Sequence, residues 1–278
     1  MTAAPGTAPP FCLNGFNGSV FTGQKEDLRG WIDAAAAAGF AFYGPDFFTL
    51  GPWIEQGGDP AALARHMRDA GVGCGVIAAA GMLDGNPQAL ATLTRAADVA
   101  DALGARFLQI NMDGPDPATR QAALEQACEA LAGRGLKLAI EYMPTTGLNS
   151  LAETVALARH VGTDRAGAMI DIWHHTHGPD SWDDLAAAPA DAIAYIELDD
   201  ALPPVGGDPF VEMMDRRTFP GEGVFDVPRF LSLIAGTGYA GMVSIEVLNA
   251  EWRGKPLPDF ARHCFASSAA FWPVPSST

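Results

Sequence analysis

The stretch LKLAIEY, residues 136–142, sets Leu136, Leu138 and Ile140 on one face of a strand and Glu141 on the other. Successive strand side chains point to opposite sides, so an apolar face packed on helices sends the glutamate into whatever the strands enclose. The pattern recurs three more times. In AGAMIDI (166–172) Ala168 and Ile170 face outward while Met169 and Asp171 point in; in AIAYIEL (192–198) Ala194 and Ile196 pack outward and Glu197 points in. In GMVSIEV (241–247) Val243 and Ile245 face outward and Glu246 points in. Four successive strands thus end in an inward carboxylate.

Upstream, FCLNGF (11–16), FAFYGP (40–45), GCGVIAAA (73–80) and RFLQINM (106–112) read as four further strands, and Ala/Leu-rich helical segments separate all eight. This alternation marks a parallel α/β protein. Helix limits are legible where Asp59-Pro60 and Asn86-Pro87 open a segment and Gly71 and Gly104 follow it. Eight strand–helix units in 278 residues predict a closed (β/α)8 TIM barrel, one domain spanning 11–272. An open doubly wound sheet is the alternative, but no GxGxxG follows the first strand. Residues 1–10 and 273–278 are expected to be mobile ends. The interval 201–225, rich in Pro and Gly, is expected to be an inserted functional loop over the barrel mouth.

Composition narrows the function. A formal charge of −16 opposes binding to a phosphate backbone, which argues against a nucleic-acid partner. No apolar run approaches the roughly 20 residues that cross a bilayer, and the N-terminus lacks a basic start, so a cytoplasmic protein without a membrane partner is expected. Cys12, Cys74, Cys128 and Cys264 lie far apart, in no metal or disulfide pattern. A small-molecule substrate is left, and a homo-oligomer is compatible with all of this.

Carboxylates gathered in a barrel mouth repel one another and lose solvation, which calls for positive charge between them. A divalent cation answers that need, and oxygen donors suit Mg2+ or Mn2+. Gln109 and Asn111 share the face opposite Leu108 and Ile110 and are candidates for binding substrate hydroxyls. Trp173 and the aromatics of 40–48 are candidates for sugar stacking, although large aromatics in a core need no such role.

The chain resembles the xylose-isomerase-like TIM-barrel superfamily of sugar isomerases, ketose 3-epimerases, inosose and 3-dehydroshikimate dehydratases and the endonuclease IV group. The resemblance runs through LNGF, AAAAAGF, LAIEYMP, MIDIWHH, YIELDDA, RTFPGEGVFD and GMVSIEVLN. It implies metal ligands at Glu141, Asp171 and Glu246. Where many members carry His in the seventh strand, this chain has Glu197; with Glu197 as a ligand the site favours Mg2+ or Mn2+ over Zn2+. Asp199 or Asp200 is the alternative, Asp200 matching a structural aspartate of the family. The Asp-x-x-His spacing implies that His174 touches substrate, and an imidazole moves protons near neutrality. Holding Asp171 is its plainer alternative role. Arg217 matches an arginine that holds substrate oxygens, with Arg216 beside it exposed to solvent. His175 and His177 match no family position; His66, His160 and His263 fall on helices as surface or packing residues.

The resemblance implies a divalent-metal-dependent isomerase or epimerase acting on a sugar or related polyhydroxy carbonyl compound through a metal-stabilised enediolate. Glu141 and Glu246 inherit the roles of acid and base. The alternative is a metal-dependent lyase, a dehydratase or β-eliminating enzyme, whose carbanion expels a leaving group. An endonuclease IV-type repair enzyme requires a histidine-rich multi-zinc cluster that the early strands lack. A non-catalytic sugar-binding barrel requires no paired Glu141 and Glu246.

Overall fold

The computed structural model describes residues 8–272, so residues 1–7 of the expected mobile end at 1–10, and all of 273–278, lie outside the described residues, while Pro10 O accepts from Val243 N at 3.2 Å. Its strands are β1 (Phe11–Asn14), β2 (Phe42–Gly44), β3 (Gly73–Cys74), β4 (Val76–Leu83), β5 (Phe107–Met112), β6 (Lys137–Glu141), β7 (Ala166–Asp171), β8 (Ile193–Leu198), β9 (Asp200–Ala201), β10 (Arg217–Thr218) and β11 (Val243–Ile245). Nine of them form one parallel sheet in the order β3-β2-β1-β11-β8-β7-β6-β5-β4. Its two edges, β3 and β4, are separated only by Gly75. The sheet therefore curls into a TIM barrel.

The third strand, expected as a continuous run over 73–80, is thus two pieces, and the reason lies at the seam. Gly75 N donates to Tyr43 O at 3.2 Å, and Arg106 N donates to Gly75 O at 3.3 Å, so one residue joins both neighbouring strands. A Cβ on Gly75 would meet Met242 Sδ at 2.7 Å and Cys12 Sγ and Phe42 Cβ at 3.1 Å. Beyond the seam the pairing of β4 with β5 shifts between Ile77 and Gly81, and Ala79 adopts φ 48°. Its amide donates to Gln109 Oε1 at 3.2 Å.

Alternation sorts the core into two shells. The outer faces of the strands join the helices in one large apolar cluster, as expected for Leu138, Ile140, Ala168, Ile170, Ile196, Val243 and Ile245. Inside, Cys12, Val76, Ala139, Met169, Tyr195 and Met242 form a smaller plug. Ala194, expected against the helices, joins this plug instead, next to a register shift between β7 and β8. The plug fixes the floor of the site: two residues beyond Cys12, Ala139, Met169 and Tyr195 on the same faces come Asn14, Glu141, Asp171 and Glu197.

The helices begin and end where the sequence places their signals. Asp59 caps Pro60–Ala70 and Asn86 caps Pro87–Leu103, each through its side chain, with Gly71 and Gly104 left-handed at the far ends. The 201–225 interval is better ordered than a loop: β9 and β10 pair antiparallel, and a helix spans Pro209–Asp215. Asp200 clasps its return, accepting from the amides of Gly221, Gly223 and Phe225 at 2.8–3.1 Å. No helix among the described residues is long and apolar enough to cross a membrane.

The seam yields a stability prediction. Gly75→Ala should lower unfolding free energy by about 1–3 kcal/mol, the usual range for overpacking a filled core. Urea denaturation followed by far-UV circular dichroism measures it; an unchanged midpoint would show that Met242 swings aside without cost.

Candidate metal centre

The four inward carboxylates meet at the C-terminal mouth of the barrel, and Glu141, Asp171, Glu197 and Glu246 are each no more than 5% exposed. Asp171, Glu197 and Glu246 offer oxygens within 4.8 Å of one another, and Glu141, Asp171 and His174 form a second such group sharing Asp171. Their orientation is set by neighbouring donors. Asn14 Nδ2 donates to Glu197 Oε1 at 2.6 Å and to Glu246 Oε1 at 3.0 Å, and Ser244 Oγ donates to Glu197 Oε1 at 2.7 Å. Glu197 Oε2 is left buried with no hydrogen-bond partner among the described residues. A buried, unpartnered carboxylate oxygen beside two further carboxylates fits ligation of a hard cation.

Glu141 is held from both sides. Gln109 Nε2 and Asn111 Nδ2 donate to its Oε2 at 2.8 and 2.7 Å, and His174 Nε2 lies 3.0 Å from its Oε1. Asp171 closes β7 and also caps the short helix Ile172–His177, its Oδ1 accepting from Trp173 N at 2.5 Å and His174 N at 3.4 Å. Its Oδ2 accepts from Arg217 Nη1 at 2.7 Å.

Arg217, expected to hold substrate oxygens, is 1% exposed and binds the chain's own acids. Nη1 also donates to Asp199 Oδ2 at 2.6 Å and lies 3.3 Å from Glu246 Oε2, while Nε donates to Met213 O. The guanidinium sits 5.4 Å over Trp173, which also stacks on the His177 ring at 4.0 Å and meets the His174 ring edge-on at 5.3 Å. Trp173 is therefore packed between cation and imidazole rather than open for a sugar. Arg216 lies outside, on Glu212.

Burial dominates the electrostatics. It pushes Glu197 well above the usual carboxylate range, helped by Glu246, Glu141 and Asp171. It lifts Glu246 to about 8 against the opposing charge of Arg217. Asp199 rises for the same first reason. Asp171 alone goes down: burial would raise it, but Arg217, His174 and the Trp173 amide outweigh that cost.

The remaining histidines are structural. His175 Nδ1 lies 3.3 Å from Tyr142 Oη, and its ring packs near Trp182 and Phe230. His66, His160 and His263 pair with Asp33, Glu125 and Glu222 on the outer surface. Asn14 and Ser244 went unread in the sequence. The signal was present: Asn14 lies two residues past Cys12 on an inward face, and Ser244 two before Glu246.

The sequence profile described as xylose isomerase-like TIM barrel matches residues 32–264. The chain belongs to that family. Within it, the chain is 29% identical over 158 residues to a 3-dehydroshikimate dehydratase of Pseudomonas aeruginosa, an alignment covering 56% of this chain and 23% of the relative. It is 30% identical over 121 residues to an inosose isomerase of Halalkalibacterium halodurans, covering 42% of each. These alignments span less than half the length of either relative. The crystal structure of an IOLI protein with a bound zinc atom superposes with a TM-score of 0.80 at 15% identity, covering 95% of this chain and 98% of that one. At that identity the superposition establishes the family's barrel fold alone.

The raised carboxyls predict a pH response. Glu246 titrates at about 8 in the metal-free fold but from an ordinary value of 4.5 when unfolded. Between those values the fold holds more protons than the unfolded chain, so stability falls as pH rises through the window. Differential scanning fluorimetry of chelator-treated protein should show Tm declining from about pH 5 to 8, and a bound divalent cation should flatten the decline. A metal-free Tm that climbs over this range would refute it.

Proposed function

We propose that the chain is a divalent-metal-dependent isomerase or epimerase of a sugar or related polyhydroxy carbonyl compound. The observation that carries this reading is the placing of Glu141 and Glu246. In the strand order β11-β8-β7-β6 they stand at the two flanks, with Glu197 and Asp171 between them. Glu141, Asp171, Glu197 and Glu246 would hold one Mn2+ or Mg2+ ion, and the bound ion supplies Lewis-acid polarisation of substrate oxygens.

The proton chemistry belongs to the chain. One flanking glutamate takes the proton from the carbon next to the substrate carbonyl, and the electron pair moves onto the carbonyl oxygen to give an enediolate. The glutamate on the other flank returns a proton to that carbon from the opposite face, inverting it; delivery to the neighbouring carbon gives the isomer. Gln109 and Asn111 orient Glu141, and the half-buried Asn111 also faces a substrate hydroxyl. His174, in contact with Glu141, exchanges a proton with a substrate oxygen. Arg217, buried on the chain's own acids, balances charge around Asp171 and Glu246.

A lyase reading has its own support in Glu197, which replaces the family's more usual histidine, and in the dehydratase relative. In that case the same carbanion expels a β-leaving group that His174 protonates.

Three measurements test the proposal. Elemental analysis should find about one divalent ion per chain, as expected if one ion offsets the clustered carboxylates, and Glu197→Ala should weaken its binding. With the Mn2+-loaded protein and a panel of ketoses, inososes and dehydroshikimate, NMR in D2O reports which substrate carbon exchanges and whether the product is an isomer or a dehydrated compound. Glu141→Gln and Glu246→Gln should each reduce turnover by about 100-fold or more while metal occupancy falls only modestly. Full turnover in both variants with metal retained would remove the glutamates from the proton path and leave His174.

A further inference from the structure

Every large apolar side chain exposed among the described residues lies on one end of the barrel. Phe21 and Phe48 follow β1 and β2, Met82 ends β4, and the other four fall within 201–225, the return over the mouth. Those that sit in helices, Phe48 in Phe47–Glu55 and Phe210 and Val211 in Pro209–Asp215, fall in the first turn after the β2 end or within that return. Exposed apolar side chains scattered singly need no explanation, whereas their confinement to the rim of a charged centre marks a recognition surface.

The densest part of the rim is aromatic. The Phe21 and Phe48 ring centroids lie 4.8 Å apart, and Phe16 approaches them at 5.7 and 6.1 Å. Phe21 and Phe48 are 49% and 46% exposed. The cluster is tied to the centre by a short link, because Phe16 N donates to Asn14 Oδ1 at 2.9 Å while Asn14 Nδ2 bridges Glu197 and Glu246. Two residues of chain span at most about 7 Å, so the backbone that carries the Phe16 ring stays that close to the residue bridging Glu197 and Glu246.

We propose that Phe16, Phe21 and Phe48 form a subsite for an apolar, ring-sized substituent on the substrate, so that the enzyme acts on a keto-sugar carrying an aryl group, such as an aryl 3-ketoglycoside. This rests on reading the centre as one that takes a polyhydroxy carbonyl compound. A free monosaccharide has one C–H face to lay on a single ring, whereas an aromatic substituent stacks on Phe21 and Phe48 together and removes their faces from water. The polar groups around Glu197 and Glu246 take the sugar, and the rings take its substituent. A second copy seated on this rim would instead cover the mouth through which substrate enters.

Phenyl and methyl 3-keto-β-D-glucopyranoside share a carbonyl-bearing sugar and differ only in the aglycone, which makes them the probes. With Mn2+-loaded protein, calorimetry should show the phenyl ketoglucoside bound about 10-fold or more tightly than the methyl ketoglucoside, and saturation-transfer NMR should be strongest on the aryl protons. The Phe21→Ala/Phe48→Ala double variant should abolish that difference while leaving Mn2+ affinity unchanged. No binding of the phenyl ketoglucoside, equal affinities, or a preference that survives the double variant would overturn the subsite. Light scattering that shows a dimer broken by the same variant would also overturn it, assigning the rim to contacts between copies. Mn2+ affinity and deuterium exchange report on the metal-dependent chemistry and not on the rings, so failure of one reading is distinguishable from failure of the other.

Discussion

Like-charge crowding in a dry space is the constraint around which the molecule is organised. Glu141, Asp171, Glu197, Asp199 and Glu246 are all buried at one end of the barrel, with Arg217 and His174 as their cationic or protonatable neighbours. Burying an uncompensated carboxylate costs several kcal/mol, so such a cluster survives only where donors are fixed around it. The chain supplies them from distant places: Asn14 from β1, Gln109 and Asn111 from β5, Ser244 from β11 and Arg217 from β10. The ribbon of β9 and β10 arises from the same need. It returns the chain so that Arg217 enters beneath Trp173, and Asp200 fastens the turn with backbone bonds.

A barrel suits this arrangement because alternation does two tasks at once. Along one strand face the lower residue is apolar and joins the plug, and the next residue inward is polar and joins the centre. Water is thereby excluded from below while the acids stay at the mouth. The plug's tight fit, visible at Gly75, keeps the floor rigid and the carboxylate spacing fixed.

Much of this was legible in the chain. Period-two alternation in 136–142 and its three counterparts places Glu141, Asp171, Glu197 and Glu246 correctly, since strand parity is a local property. Helix limits at Asp59, Gly71, Asn86 and Gly104 were equally local. The features that escaped depended on partners remote in sequence. The break at Gly75 reflects the closing geometry of the whole barrel, and Ala194 turns inward at a register shift between strands that periodicity does not register. Arg217 was visible as a residue near the centre, but three carboxylates competing for its guanidinium were not, because they come from three separate strands or strand ends. Asn14 carried no motif; its role arises only where β1 lies beside β11.

Asp171 is a single side chain with two tasks. One oxygen faces the cationic side of the centre, and the other caps the single-turn helix that carries His174. Its removal would therefore rotate the imidazole as well as subtract a ligand. Because the two side chains share one helix start and one carboxylate, the effects of replacing Asp171 and His174 are expected to be coupled rather than additive, and a substitution at one should be judged with the other.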